Sequence, residues 1–249
     1  MTSMPLCFTP SPVLQTINGV LSQADGKDKL LRLVQFTMRF LSWSLRGQSS
    51  SVAACMRMEE ALVNGRKLFR ILRSLECLAK AQVLVQKMMK SKRGLLTSLE
   101  LVQQGGFFSF FLVDHFFLLS KLRIITLDQQ LIKQYFGGTF LVGCLGGVGA
   151  NITRLCELQD VEAASSDDHV VSEKRHLAQI ENTVDGIKNA LDCVIGVNIT
   201  YDKQWHRGVI GAMGCTTSVI WLWQHYVSYM SGTTLPQRLA IPEKNTGSR

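Results

Sequence analysis

Residues 27–46 read KDKLLRLVQFTMRFLSWSLR, and this stretch decides the fold class. Wound as a helix at about 100° per residue, it places Asp28, Arg32, Gln35, Arg39, Ser42 and Arg46 on one narrow stripe. Leu30, Leu31, Leu33, Val34, Phe36, Met38, Phe40, Leu41, Trp43 and Leu45 fill most of the remaining circumference. That apolar arc is far wider than the roughly 100° of a surface helix in a globular protein. Lys27 and Lys29 flank it, with stems long enough to snorkel. The pattern predicts a basic amphipathic helix lying in a bilayer surface, with Leu30, Leu33, Val34, Phe36, Phe40, Leu41 and Trp43 inserted. Each such side chain gains roughly 1.5–3 kcal/mol if fully buried. The arc has one competitor inside the chain, the apolar flank Ile71, Leu75 and Leu78 of the next helix.

On the N-terminal side, residues 1–12 form a proline-containing arm, and Val13, Leu14, Ile17, Val20 and Leu21 start a helical pattern. On the other side, Gly47–Ser51 reads as a loop and a second helix is expected from Ser50 or Ser51 to Lys92, with Glu59 and Glu60 early in it. Arg66, Arg73, Lys80 and Lys87 recur every seven residues and predict one long positive stripe, joined by Lys67 and Arg70. Lys27, Lys29, Arg32, Arg39, Arg66, Lys67, Arg70 and Arg73 are therefore candidate contacts for lipid phosphates. Phe107–Leu119 holds six phenylalanines but is too short to span, and it contains Asp114-His115. That intramembrane polar pair reads as an anchor to another helix, in preference to a solute path.

Gln134–Thr153 is 20 residues without charge, long enough to cross about 30 Å of hydrocarbon. Its Gly143 and Gly147 suit close helix packing in lipid. Residues 154–207 read as a polar, acidic region, with a loop over 157–176 and a helix from about Glu173 to Val197. Gly208–Gln237 again lacks Lys, Arg, Asp and Glu, with Gly208, Gly211 and Gly214 stepped for packing. Trp221, Trp223, Tyr226 and Tyr229 cluster at one end of it, as in an interfacial belt. The expected organisation is thus an arm (1–12), a cytosol-facing helical region (13–133), a candidate span (134–153), the acidic region (154–207), a span (208–235) and a tail (236–249). The fold class is all-α, a membrane-associated helical bundle with N-terminal amphipathic helices and one or two C-terminal transmembrane helices.

Composition agrees. The chain is 46% hydrophobic and only 18% charged, where a soluble domain carries about 25% charge. Its net +8 is uneven: residues 1–133 hold 18 Lys and Arg against 8 Asp and Glu, and residues 134–207 hold 6 against 10. With two spans, both termini face the cytosol under the positive-inside tendency. Seven cysteines without a Cys-x-x-Cys pair predict neither a disulfide framework nor a metal site. Met1–Pro12 has no basic start or apolar run, so entry by a signal peptide is not expected, and the sequons at Asn151 and Asn198 are read as chance. The glycines from Gly143 to Gly149 lack the strand–turn–helix context of a nucleotide loop. No catalytic constellation, cofactor site or nucleic-acid recognition fold is visible, so a non-enzymatic protein is expected, with anionic membrane lipids as its partners.

Four stretches, in order, resemble the peroxisomal biogenesis factor eleven family. They are Asp25-Gly26-Lys27-Asp28-Lys29-Leu30-Leu31-Arg32-Leu33-Val34-Gln35-Phe36, then Gly65-Arg66-Lys67-Leu68-Phe69-Arg70, then Leu112-Val113-Asp114-His115 with Ser120-Lys121, and finally Gly208-Val209-Ile210-Gly211-Ala212-Met213-Gly214 with Thr217-Ser218. Thr216-Thr217-Ser218 stands where a serine pair is commoner, and residues 154–207 carry no family motif. The resemblance implies a membrane protein of the peroxisome or of a related organelle such as the glycosome. It implies elongation of that membrane before fission, self-association, and links to the dynamin-type fission machinery and its membrane adaptors. It also implies a role as a pore or carrier for small solutes, as the alternative function.

Overall fold

The protein is described by a computed structural model covering Gly19 and residues 24–90, 94–163, 169–201 and 205–240. Among these residues the structure is helical throughout, without strands: α1 (Ala24–Ser44), α2 (Ser49–Phe69), α3 (Arg73–Lys90), α4 (Gly94–Lys121), α5 (Gln129–Ala163), α6 (His169–Thr200), α7 (Arg207–Ser231) and α8 (Leu235–Leu239). No proline stands between Val13 and Leu235, so nothing in the sequence blocks long helices. α7 ends where Gly232 takes the left-handed region (φ 63°), and α8 opens with a capping box between Thr234 and Gln237. The arm at 1–12 and the tail from 241 onward lie outside the described residues, as does most of the expected helix over 13–23.

α1 packs along α2 on one side and α7 on the other; α7 meets α6, α6 meets α5, α5 meets α4, and α4 touches α2. Six helices thus close into a ring, with α3 laid against α4. The polarity of the ring is inverted. Among the described residues, 22 polar or charged residues are buried against 13 apolar ones, the reverse of a soluble core. Outward sit side chains such as Leu75, Met89, Val142, Leu145, Val219 and Met230. Charges inside and hydrocarbon outside suit a body surrounded by lipid, where an unpaired charge on the rim is costly.

Glycine lines several seams, and two of them flank the site. On α5, Gly143 lies against Gly106 of α4 so closely that any Cβ at Gly106 would strike the Gly143 backbone. Phenylalanines 107, 110, 136 and 140 fill the flank of that seam. On α7, Gly208, Gly211 and Gly214 receive Trp43, Phe40 and Phe36 of α1. Farther along, Arg32 reaches Thr217 and the Lys29 ammonium lies 5.1 Å from the Trp221 ring centroid. These pairs run in opposite directions along the two chains, so α1 and α7 are antiparallel and share one depth. If α7 crosses a bilayer, α1 stands beside it and not flat on the surface.

Several sequence expectations change. The helix expected from Ser50 to Lys92 is broken at residues 70–72, where Leu72 adopts φ 65°. Its N–H donates to His115 Nε2 at 3.3 Å, a tertiary contact that stabilises a conformation leucine otherwise avoids. The break splits the basic stripe: Arg66 and Arg70 are buried and Arg73 half-buried, while Lys80 and Lys87 stay exposed. α5 runs 35 residues, about 50 Å, well past both ends of Gln134–Thr153. It takes up the first part of the loop expected over 157–176, and α6 begins at His169. By length and composition one helix among the described residues qualifies as a membrane span, Gln129–Asp160. Ile71, Leu75 and Leu78 do not cover α1; they remain exposed.

Candidate functional site

The polar stripe of α1 builds the site. Helical spacing sets Asp25, Asp28, Arg32 and Gln35 on one face, and that face points into the ring. Asp28 is 1% exposed. Opposite stand Arg66 and Arg70 from the end of α2 and Arg73 from the start of α3, brought together by the left-handed turn at Leu72.

Arg66 donates from Nε to Asp28 Oδ1 (3.0 Å) and from Nη1 to Gln35 Oε1 (2.6 Å). Arg70 pairs with Asp114 of α4 through Nη2 (3.0 Å) and lies 3.7 Å from Asp28. Arg73 pairs with Asp25, and its Nη1 lies 3.7 Å from Asp28 Oδ2. One carboxylate is therefore shared by three guanidiniums. Across the ring, Arg32 pairs with Asp192 of α6 and donates to Thr217 Oγ1 of α7 at 3.1 Å. Near the other end of α1, Glu59 accepts from Arg39 Nε (2.7 Å) and Arg207 Nη2 (2.5 Å), tying α1, α2 and α7. On α6, Asp185 accepts from Lys188 (2.5 Å), Asn151 (3.0 Å), Asn189 (3.0 Å) and Gln224 (3.3 Å).

Three groups in this network lack a hydrogen-bond partner: Lys67 Nζ, Asp114 Oδ1 and Gln224 Oε1. The Lys67 ammonium instead lies 3.3 Å above the Phe117 ring, a cation–π contact. The network surrounds a cavity of about 350 Å³, lined among others by Lys29, Arg32, Arg73, Gln103, Asp192 and Trp221. No group of three or more His, Cys, Asp and Glu able to hold a metal occurs among the described residues.

The expected site residues divide by position. Of the seven assigned to the bilayer, Leu30 and Phe40 are exposed, Leu33, Val34, Leu41 and Trp43 half-buried, and Phe36 buried. Of the eight assigned to lipid phosphates, Lys27 alone is exposed. Arg32, Arg39, Arg66, Arg70 and Arg73 are turned toward carboxylates, and Lys67 toward Phe117. In this structure the five arginines are compensated inside by carboxylates on α1, α2, α4 and α6. Gly143 packs on Phe107, Gly147 beside Gln103 and Asn189, and Gly208, Gly211 and Gly214 on α1. Asp114 holds Arg70, and His115 holds the turn at Leu72. The sequence reading missed Asp28, Asp192, Glu59 and Thr217 as partners. A signal was present: a narrow polar stripe on an otherwise apolar helix fits a helix lining a polar interior as well as one lying on a surface.

The family described as Peroxisomal biogenesis factor 11 matches residues 14–226. A protein of Dictyostelium discoideum, "Peroxisomal membrane protein 11 homolog", is 20% identical over 239 residues, covering 85% of this chain and 93% of that one. No solved structure matches.

Proposed function

The chain belongs to the Peroxisomal biogenesis factor 11 family, and from that premise we propose that it elongates the peroxisomal membrane, ahead of fission, through reversible release of α1 from the bundle. It is a peroxisomal membrane protein of a family of biogenesis factors. The observation that carries the finer reading is the double character of α1. Its polar stripe is compensated inside the ring, while Leu30 and Phe40 already reach the outside. Freed from α7, the helix presents its wide apolar arc to the cytosolic leaflet and inserts as a wedge. Lys27, Lys29, Arg32 and Arg39 would then meet anionic headgroups. Area added to one leaflet bends the membrane. Many copies are required, so self-association belongs to the proposal, as do cytosolic termini and recruitment of dynamin-type fission machinery with its adaptors.

The test uses a contact already present. Thr37 Oγ1 lies 3.5 Å from Cys215 Sγ across the α1–α7 seam, so Thr37→Cys places two thiols within bonding reach. The oxidised variant, reconstituted in anionic liposomes, is expected to lose tubulation and to regain it with dithiothreitol. Equal tubulation by the fully cross-linked protein would sink the release of α1.

A second reading, passage of small solutes, is favoured by one observation, the charged cavity enclosed by the ring. Flux of a dicarboxylate from proteoliposomes measures it; absence of flux above that of protein-free liposomes removes it.

A further inference from the structure

We propose that the cavity inside the ring is a binding site for a small polyanion carrying carboxylate or phosphate groups, seated on Lys29 and Arg73. The inference deepens the solute-passage reading and rests on it only for the route by which the ligand arrives.

Charge carries the argument. Eight lysines and arginines line the cavity against four carboxylates, Asp25, Asp28, Glu76 and Asp192. Three of the eight are compensated from outside the lining: Arg39 by Glu59, Arg70 by Asp114 and Lys188 by Asp185. Arg32 takes Asp192, while Arg66 and Arg73 divide Asp25 and Asp28. Lys80 and Glu76 are exposed at the edge, one helical turn apart. Lys29 is left over. It is half-buried and makes no ion pair among the described residues; Asp25 and Asp28 act on it only through space, and it lies over the Trp221 ring. A half-buried ammonium with cations nearby and no carboxylate in contact is costly, and a bound anion lowers that cost. The guanidiniums around it are already fixed by carboxylates on neighbouring helices, so little order is lost on binding. The volume, about 350 Å³, lies at the small end of ligand pockets and suits a compact polyanion.

The experiment uses the full chain in nanodiscs of phosphatidylcholine, titrated calorimetrically with citrate and with inorganic pyrophosphate. Saturable binding of at least one is expected, weakened tenfold or more by Lys29→Met and kept by Lys29→Arg. Arg73→Gln serves as an independent second variant, with Lys174→Gln as the exposed control. Nanodiscs containing phosphatidic acid form the lipid arm. Lys29-dependent thermal stabilisation there, with no response to citrate or pyrophosphate, assigns the site to a lipid headgroup. No response in any arm, or binding untouched by both Lys29→Met and Arg73→Gln, overturns the site. Binding without flux keeps the site and removes the passage reading.

Discussion

The α4–α5 seam and the α1–α7 seam are both built on glycine, yet they are held differently. On the first, a Cβ at Gly106 would strike the Gly143 backbone, while Gly143 itself faces the Phe107 ring. On the second, Gly208 and Gly214 receive the rings of Trp43 and Phe36, while Gly211 meets the Phe40 backbone. A ring can withdraw or rotate; a backbone cannot. Charge holds α1 from its other sides: Asp28 pairs with Arg66 of α2 and Arg32 with Asp192 of α6. Each seam thus joins glycine to backbone at one point and to a ring at another; α1 differs in the buried ion pairs that also hold it.

The hardest blow to this contrast falls on the ion network. Asp28→Ala leaves three arginines facing one another around the gap, and loss of a buried partner of this kind costs about 3–5 kcal/mol. Thermal unfolding in detergent is expected to show it; a variant as stable as the parent would mean that the network does not hold α1. Next comes the α4–α5 seam. Gly106→Ala forces a methyl into the Gly143 backbone, for about 1–3 kcal/mol, and intact stability would make the two seams alike. The turn at Leu72 follows. His115→Ala removes the acceptor of the Leu72 N–H and is expected to cost about 1 kcal/mol, whereas Leu72→Gly relieves the left-handed strain and returns a similar amount. A smaller effect on unfolding is expected at the α1–α7 seam. Gly208→Ala pushes on the Trp43 ring near the end of both helices, so stability should fall by about 0.5–1 kcal/mol while acrylamide quenching of tryptophan rises. A large loss of stability with unchanged quenching would erase the contrast.

Much of the helical content was legible because the chain lacks proline from Val13 to Leu235 and carries apolar residues at helical spacing. The glycine steps at 143–147 and 208–214 were legible as packing surfaces, since small residues admit close approach whatever the partner. The break before Arg73 was not, because Arg70-Ile71-Leu72 contains neither glycine nor proline and the side chain that accepts from the turn is a histidine 43 residues away. Nor was the pairing of Asp114 with Arg70, although both motifs had been singled out, since separation along the chain carries no distance in space.

The sequence by itself determined that α1 has a narrow polar stripe and a wide apolar arc; that follows from residue order and 3.6 residues per turn alone. Only the tertiary structure decided which side faces inward. A helical periodicity fixes angles around one axis but not what stands across from each face. The inward turn of Asp28 and Arg32 depends on Arg66 and on Asp192, which lies 160 residues from Arg32 along the chain. Those partners come from other helices, so the inward turn of the stripe is decided by the charges that stand across from it.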